Sequence, residues 1–241
     1  MPLKVYVRPN ELTSPLFAEA FAAGCGGEVC EQYQGGPWAG FGSPDNWRDL
    51  QAAIEGGFDW YFGDHAYFGR HHFYRISKNQ YQHNGRGHSD CRRFKWHGIE
   101  IKSRQHGKNV LICPQSEVFF ALRGMNRDFW FAETLAEIQK HTDRPIVVRT
   151  KKDPKPFSRQ LEKAHCVVTY SSNAAVEAIL AGVPAICLHN CAASVMAESK
   201  IENIENPYFE NDRLEWAGVL ADNQWTLDEI KSGMAWRALN V

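Results

Sequence analysis

The sequence predicts an α/β protein built on parallel sheet and divided into two lobes. Three observations lead there. From Asn109 onward, apolar runs of about five residues alternate with stretches of helical period, the pattern of right-handed βαβ units. Those runs stop at proline, glycine or a polar turn, as buried strands do. A chain of 241 residues, 44% hydrophobic and 23% charged, is also long enough to bury a core, as one compact unit or two small lobes. The polar, basic stretch before Asn109 sets the lobe boundary near residues 105–109, giving lobes 1–107 and 108–241.

The elements follow in order. Leu3–Val7 is an apolar strand, and Pro15–Ala23 a helix. Residues 35–44, with four glycines or prolines before Gly42, read as a turn-rich loop. Asn46–Glu55 is a helix, Phe58–Phe62 a strand ending at Gly63-Asp64-His65, and Phe73–Tyr81 a further strand. In the second lobe Asn109–Pro114, Pro145–Arg149, Cys166–Tyr170 and Pro184–Leu188 are short apolar runs that read as strands. Between them, Asp128–His141 carries Phe131, Leu135 and Ile138 at helical spacing, and Phe157–Ala164 and Asn173–Ala181 are shorter helices. The stretches 211–221 and 227–239 complete the reading as two helices.

No run approaches the roughly 18 apolar residues a bilayer needs, and Met1-Pro2-Leu3 leads directly into the first strand. The expectation is a cytoplasmic protein with no membrane partner. The seven cysteines are odd in number, and Cys113, Cys166 and Cys187 sit in apolar runs, which suits reduced, buried thiols. Cys187, His189 and Cys191 lack the second ligand pair that structural zinc requires, and His88, Cys91 and His97 match no zinc spacing. No metal is expected. Charge is uneven: between Arg70 and Lys108 ten Lys or Arg face only Asp90 and Glu100, in a chain of net charge −1. Such a block speaks about partners rather than fold.

The segment richest in chemistry is Tyr170-Ser-Ser-Asn-Ala-Ala-Val-Glu-Ala-Ile-Leu-Ala-Gly-Val-Pro184. A strand runs into Ser171, Ser172 and Asn173, and a helix begins at once. A helix start offers unpaired N–H groups and a positive dipole end, where a phosphate docks. Glu177, one turn on, is placed to accept from ribose hydroxyls. By spacing alone, Ser-Ser-Asn is equally well an N-cap and Glu177 a solvated carboxylate.

This segment resembles the donor-site motif of glycosyltransferases with two Rossmann-like lobes facing a cleft, the GT-B architecture. It is most similar to the branch with capsule-polysaccharide and polyglycerol-phosphate transferases and small phage glycosyltransferase-like proteins. The resemblance implies a nucleotide-diphosphate sugar as co-substrate, taken as a UDP-sugar, with no further cofactor. It assigns Ser171, Ser172 and Asn173 to the diphosphate and Glu177 to the ribose. It makes 1–107 the acceptor lobe and 108–241 the donor lobe. Arg149 and Lys151, after the second strand of the donor lobe, are candidates for phosphate pairing at the sheet edge where ligands bind, and Ser116, after the first strand, is a weaker one. Each is also readable as part of a solvated turn. The chain is short for the family, and no second acid completes the Glu-x7-Glu pair of retaining members, so an inverting transfer is expected. The sequence has no Asp-x-Asp, which suits metal-independent chemistry.

An inverting transfer needs a general base near the acceptor hydroxyl. Asp64 is the first candidate and His65 the second, at the end of a first-lobe strand. Asp64 is also readable as a turn cap and His65 as packing against Tyr67 or Phe68. The basic block, interleaved with Phe73, Tyr74, Tyr81, Phe94 and Trp96, suits a phosphate backbone plus stacked bases. Arg70, Arg75, Lys78, Arg86, Arg92, Arg93 and Lys95 are its candidate contacts. With the phage resemblance, the block implies a 5-hydroxymethylated pyrimidine in double-stranded DNA as acceptor. A glycan or cell-surface polymer is the alternative acceptor, and an inactive nucleic-acid-binding relative the alternative class.

Overall fold

A computed structural model describes residues 2–8, 11–42 and 47–240. Ser43, Pro44 and Asn46, assigned above to a loop and a helix start, and Met1 lie outside the described residues. The chain divides into two compact units, one formed by 1–83 with 220–241 and the other by 84–219. The boundary expected at 107 therefore falls inside the second unit, and the last twenty-two residues return to the first. Both units carry the expected α/β, Rossmann-like architecture.

The first unit begins with β1 (Lys4–Tyr6), α1 (Thr13–Cys25), β2 (Glu28–Cys30), β3 (Trp38–Phe41), α2 (Trp47–Glu55), β4 (Trp60–His65) and β5 (Tyr74–Lys78). Strand β3 corrects the turn-rich loop expected over 35–44. Its four residues are all buried. It lies between β1 and β4, parallel to both. One of the glycines that suggested a turn serves packing: a Cβ on Gly40 would lie 2.7 Å from the Trp38 ring, so glycine makes room for that indole.

In the second unit come α3 (Arg92–Trp96), β6 (Asn109–Ile112), α4 (Glu117–Ala121), α5 (Arg127–His141), β7 (Ile146–Val148), α6 (Phe157–Leu161), β8 (Ala164–Thr169), α7 (Ala174–Leu180) and β9 (Ala185–Cys187). Helix α8 (Leu214–Asp222) then leads to β10 (Gln224–Trp225), α9 (Leu227–Lys231) and α10 (Met234–Leu239). The single helix expected over 227–239 is two, because Gly233 takes a left-handed φ of 78° between them. Among the described residues no helix is long and apolar enough to cross a membrane.

Among the described residues the second unit's sheet has four parallel strands in the order β7-β6-β8-β9. Alternate residues leave opposite faces of a strand, and both faces here are covered. Val110, Ile112, Cys166 and Val168 meet Phe120, Trp130 and Ile138 on one side. Leu111, Cys113 and Val167 meet Leu161, Ala178 and Val183 on the other. Two-sided burial is why these strands are continuous apolar runs in the sequence.

The first unit's sheet has the order β10-β5-β4-β3-β1-β2, with the β4–β5 and β5–β10 pairings antiparallel and the others parallel. Val5, Ala39, Phe41 and Tyr61 pack against Phe17 and Phe21 of α1 and Ile230 and Ala235 from α9 and α10. Tyr6, Trp38, Trp60 and Phe62 face Leu50 and Ala53 of α2. The C-terminal segment belongs here because it supplies an edge strand and part of this core.

Candidate functional site

Two sheet edges gather the polar residues, one in each unit. In the second unit β6 connects onward to β7 on one side, and its neighbour β8 connects to β9 on the other. Adjacent strands whose connections diverge leave a crevice beyond their carboxyl ends, where open α/β sheets bind ligands. The two loops at this point are tied together by one amide. Gln115 Nε2 donates to Ser171 Oγ (2.9 Å), and Gln115 Oε1 accepts from the Ser171 N–H (3.1 Å). Thr169 Oγ1 donates to the Cys113 carbonyl (2.7 Å) and accepts from Ser172 N–H (3.3 Å). Ser172 Oγ accepts from Ala174 N–H (3.2 Å), the role of a cap, while Asn173 already has helical backbone and makes no cap bond.

The motif is thus assembled at the expected edge, with a different division of labour among its residues. Ser171 is only 2% exposed and holds Gln115. Ser172 and Asn173 are the half-buried members beside it. The N–H groups of Ser171, Ser172 and Ala174 are already taken by side chains, so the helix start is not the row of bare donors expected from the sequence. Glu177 is exposed between buried Val176 and Ala178. Ser116 is exposed and caps α4, accepting from Phe119 N–H (3.3 Å). Arg149 follows β7 as expected, but Nη1 donates to the carbonyls of Asp153 and Lys155, the Asp153 carboxylate lies 3.5 Å away, and the guanidinium lies over the Phe157 ring. An acid four residues on draws it into its own loop. Lys151 is exposed in the turn.

One group at this edge escaped the sequence reading. His189, after β9, stacks on Tyr170 with ring centroids 4.9 Å apart and planes 13° from parallel, and its N–H donates to the Tyr170 carbonyl (2.8 Å). Phe119, Phe120 and Trp130 surround the Tyr170 ring. Burial, with Arg123 nearby, lowers the His189 pKa. In the sequence His189 stood out only as a zinc candidate between two cysteines. Among the described residues no set of three His, Cys, Asp or Glu side chains gathers to hold a metal ion.

In the first unit β1, β3 and β4 end at Tyr6, Phe41 and His65. Asp64 Oδ1 accepts from His65 N–H (2.7 Å), and Oδ2 pairs with Arg75. Arg75 corrects an expectation: assigned to an acceptor surface, it is buried at 7% exposure. It also donates to the carbonyls of His65 and Tyr81, each at 3.0 Å. The antiparallel β4–β5 register sets Asp64 opposite Arg75, so the hairpin itself makes the pair. His65 has a buried Nδ1 with no partner among the described residues. Its ring meets Phe41 and His71 edge-on. Burial lowers its pKa; Asp64 opposes that, and Arg70 and His71 add to it. Arg8 and Glu11 were not singled out. Arg8 is 8% exposed, donates to the Phe41 carbonyl (3.2 Å) and lies 3.6 Å from the Glu11 carboxylate. A charged residue at the end of a strand was the available signal, the same that drew attention to Arg149.

The other cations are divided between the two units. Arg70 and Lys78 belong to the first unit, and Arg86, Arg92, Arg93 and Lys95 to the second. Lys78 pairs with Asp59 (3.1 Å) and Arg92 with Asp90 (2.6 Å). Arg70, Arg86 and Lys95 are exposed and Arg93 is half-buried. Next to Lys95, Trp96 is 69% exposed.

Burial also depresses the pKa values of His83, His97 and His165. His165 Nε2 donates to the Ile204 carbonyl (2.8 Å). With His65 and His189, five histidines thus resist protonation in the fold. The unfolded chain then binds more protons below about pH 6.5, so stability is full above that value and is lost as pH falls further. Thermal melts should show a falling midpoint from pH 7 to pH 5; a midpoint that rises on acidification refutes the assignment.

No protein-family model and no curated protein sequence matches the chain. Solved structures do. A Thermosulfurimonas dismutans structure titled KpsC, beta Kdo 2,7 transferase, superposes with a TM-score of 0.58 at 12% identity, covering 99% of this chain and 100% of that one. A second, titled KpsC, beta Kdo 2,4 transferase, from the same organism, gives 0.52 at 13% identity, with 90% of each chain covered. At such identity the likeness is one of fold.

Proposed function

We propose that this chain is a glycosyltransferase that moves a sugar from a nucleotide-diphosphate donor, a UDP-sugar by choice, to a hydroxyl acceptor. The observation that carries the reading is the Gln115–Ser171 clasp at the point where the β6 and β8 connections diverge. The fold shared with two structures titled as Kdo transferases supports it. On this reading Ser172 and Asn173 hold the donor phosphates and Glu177 the ribose. Ser171 and Gln115 keep the turn in place. Lys151 offers a cation to the leaving diphosphate, whose charge must be met in the transition state. The reaction is inverting and needs no metal.

For the base, His65 is the better choice. The Asp64 carboxylate is already engaged by the buried Arg75 guanidinium, whereas burial lowers the His65 pKa and so favours the neutral imidazole that a base needs. Asp64 then orients its neighbour through the backbone. His65→Gln should lower transfer at least about a hundredfold while nucleotide binding survives. Transfer at wild-type rate by that variant removes His65 from the reaction.

The acceptor we favour is a 5-hydroxymethylated pyrimidine in duplex DNA. Its support is the local surplus of cations together with exposed Trp96, Lys95 and Arg86. A glycan or cell-surface polymer is the second reading, favoured by the fold shared with the two KpsC beta Kdo transferases. An inactive nucleic-acid-binding relative is a third. Mass spectrometry after incubation with mixed nucleotide sugars, offering hydroxymethylated DNA and a polysaccharide in parallel, separates them. Sugar on DNA supports the first, sugar on polysaccharide the second, and none on either the third. If DNA is bound, Lys95→Ala and Arg86→Ala should each flatten the salt dependence by about one unit of slope.

A further inference from the structure

The strands β8 and β9 place an aromatic pair directly beside the Ser171-Ser172-Asn173 turn. They run parallel, with Thr169 opposite Cys187. Their ladder continues past both strand ends: Leu188 N–H donates to the Thr169 carbonyl (3.0 Å) and His189 N–H to the Tyr170 carbonyl (2.8 Å). His189 is thereby carried to the level of Tyr170, the residue immediately before the turn. There the imidazole lies flat against the phenol ring, with centroids 4.9 Å apart and planes 13° from parallel. The phenol ring is held from behind by Phe119, Phe120 and Trp130, which meet it edge-on with centroids 5.5–6.3 Å away. The imidazole, by contrast, is exposed, and its ring nitrogens make no hydrogen bond among the described residues. One face is spent on Tyr170, so the other face and the ring edges are what solvent meets. Burial lowers the His189 pKa, which favours the uncharged ring.

We propose that His189 is the stacking platform for the base of the nucleotide donor, laid on the outer face of the imidazole. Base, His189 and Tyr170 then form one column. The proposal deepens the donor reading and rests on it. Position is the first support: a nucleoside diphosphate carries its base one ribose away from its phosphates, and the platform adjoins Ser172 and Asn173 at the same sheet edge. Chemistry is the second, since a flat, uncharged aromatic face suits any base, each of which has a π-face of its own. Rigidity is the third. A ring already stacked on a tyrosine that is itself packed on three aromatic side chains loses little freedom when the base arrives.

Titration of the full chain with UDP and with inorganic diphosphate, which has no base, tests the platform. The carbon-bound imidazole protons of His189, identified by their loss in His189→Ala, should move upfield on adding UDP and stay in place with diphosphate. Calorimetry should show UDP binding weakened about tenfold in His189→Ala, the loss expected for one stacked base. His189→Phe, which keeps a flat ring, should recover most of that loss. Diphosphate should bind all three proteins alike, which also shows that the variants are folded. If wild type binds UDP without a shift at His189, or if His189→Ala binds it equally well, the platform is wrong and the donor reading stands. The platform also falls if Phe fails as badly as Ala, or if Ala weakens diphosphate as much as UDP. Binding of neither UDP nor diphosphate by wild type overturns the donor reading and the platform with it.

Discussion

Arg75→Met is expected to destabilise the first unit by about 3 kcal/mol, a large share of the total a single domain holds. The guanidinium is buried and donates to three places at once: the Asp64 carboxylate and the carbonyls of His65 and Tyr81. It also lies over the Tyr67 ring, 5.2 Å from its centroid. Methionine fills much of the volume and satisfies none of these acceptors. The cost sits at the low end for a broken buried pair because the Asp64 side chain is 34% exposed and regains some water. Arg92→Met is the control: its ion pair is 87% and 55% exposed, and surface pairs contribute at most about 1 kcal/mol. Urea titration of both variants decides the matter. Equal midpoints would mean that Arg75 is no more structural than a surface cation. The same pair bears on the base assignment. Asp64→Asn will lose transfer through damage to this network, so lost activity in that variant says little about proton transfer.

Gln115→Leu is expected to lower transfer by about a hundredfold, on the donor reading, with little change in size at the site. The substitution removes both hydrogen bonds that Gln115 makes to Ser171, each contributing about 1 kcal/mol. More important for activity, the loops after β6 and β8 lose the amide that sets their spacing, and misplacement of about 1 Å is enough for a hundredfold loss. Gln115→Glu is the informative companion. A carboxylate accepts from the Ser171 N–H, and the Ser171 hydroxyl can turn to donate to it, so this variant should recover most of the clasp. If Gln115 acts by positioning, Leu impairs donor binding and kcat together and Glu restores both. If Glu fails as badly as Leu while both remain folded, the amide has some role other than holding the turn.

What could be read from the sequence divides by how strands are buried. In the second unit β6, β8 and β9 are covered on both faces and appear as unbroken apolar runs, so their order and the motif after β8 were legible. In the first unit β3 was hidden, because Gly35, Gly36, Pro37, Gly40 and Gly42 carry turn chemistry even where one of them lies in a strand. The three-residue strand β2 is short and mostly exposed, which leaves no pattern to detect. Side-chain roles failed for a different reason. Arg75 differs from its cationic neighbours only in facing Asp64 across a hairpin, and linear charge counting cannot see a partner eleven residues earlier. Arg149 was placed at the correct edge, but Asp153 one helical turn on claims it. Position at a strand end was legible; what each side chain already holds was not.

The return of residues 220–241 to the first unit has a consequence for how the chain comes to be folded. The second unit is an uninterrupted stretch, 84–219, and its chain is complete as soon as that stretch has left the ribosome. The first unit's chain is not. Its edge strand β10 and the core residues Trp225, Ile230 and Ala235 are made after the whole of the second unit, while the α1 surface they cover is made before it. Phe17 and Phe21 must therefore wait for these partners while the second unit is synthesised, and closing that long loop is entropically slow. The first unit is accordingly the late and aggregation-sensitive step of biogenesis, and a chain cut after residue 219 should yield a protease-resistant 84–219 fragment attached to an unfolded N-terminal segment.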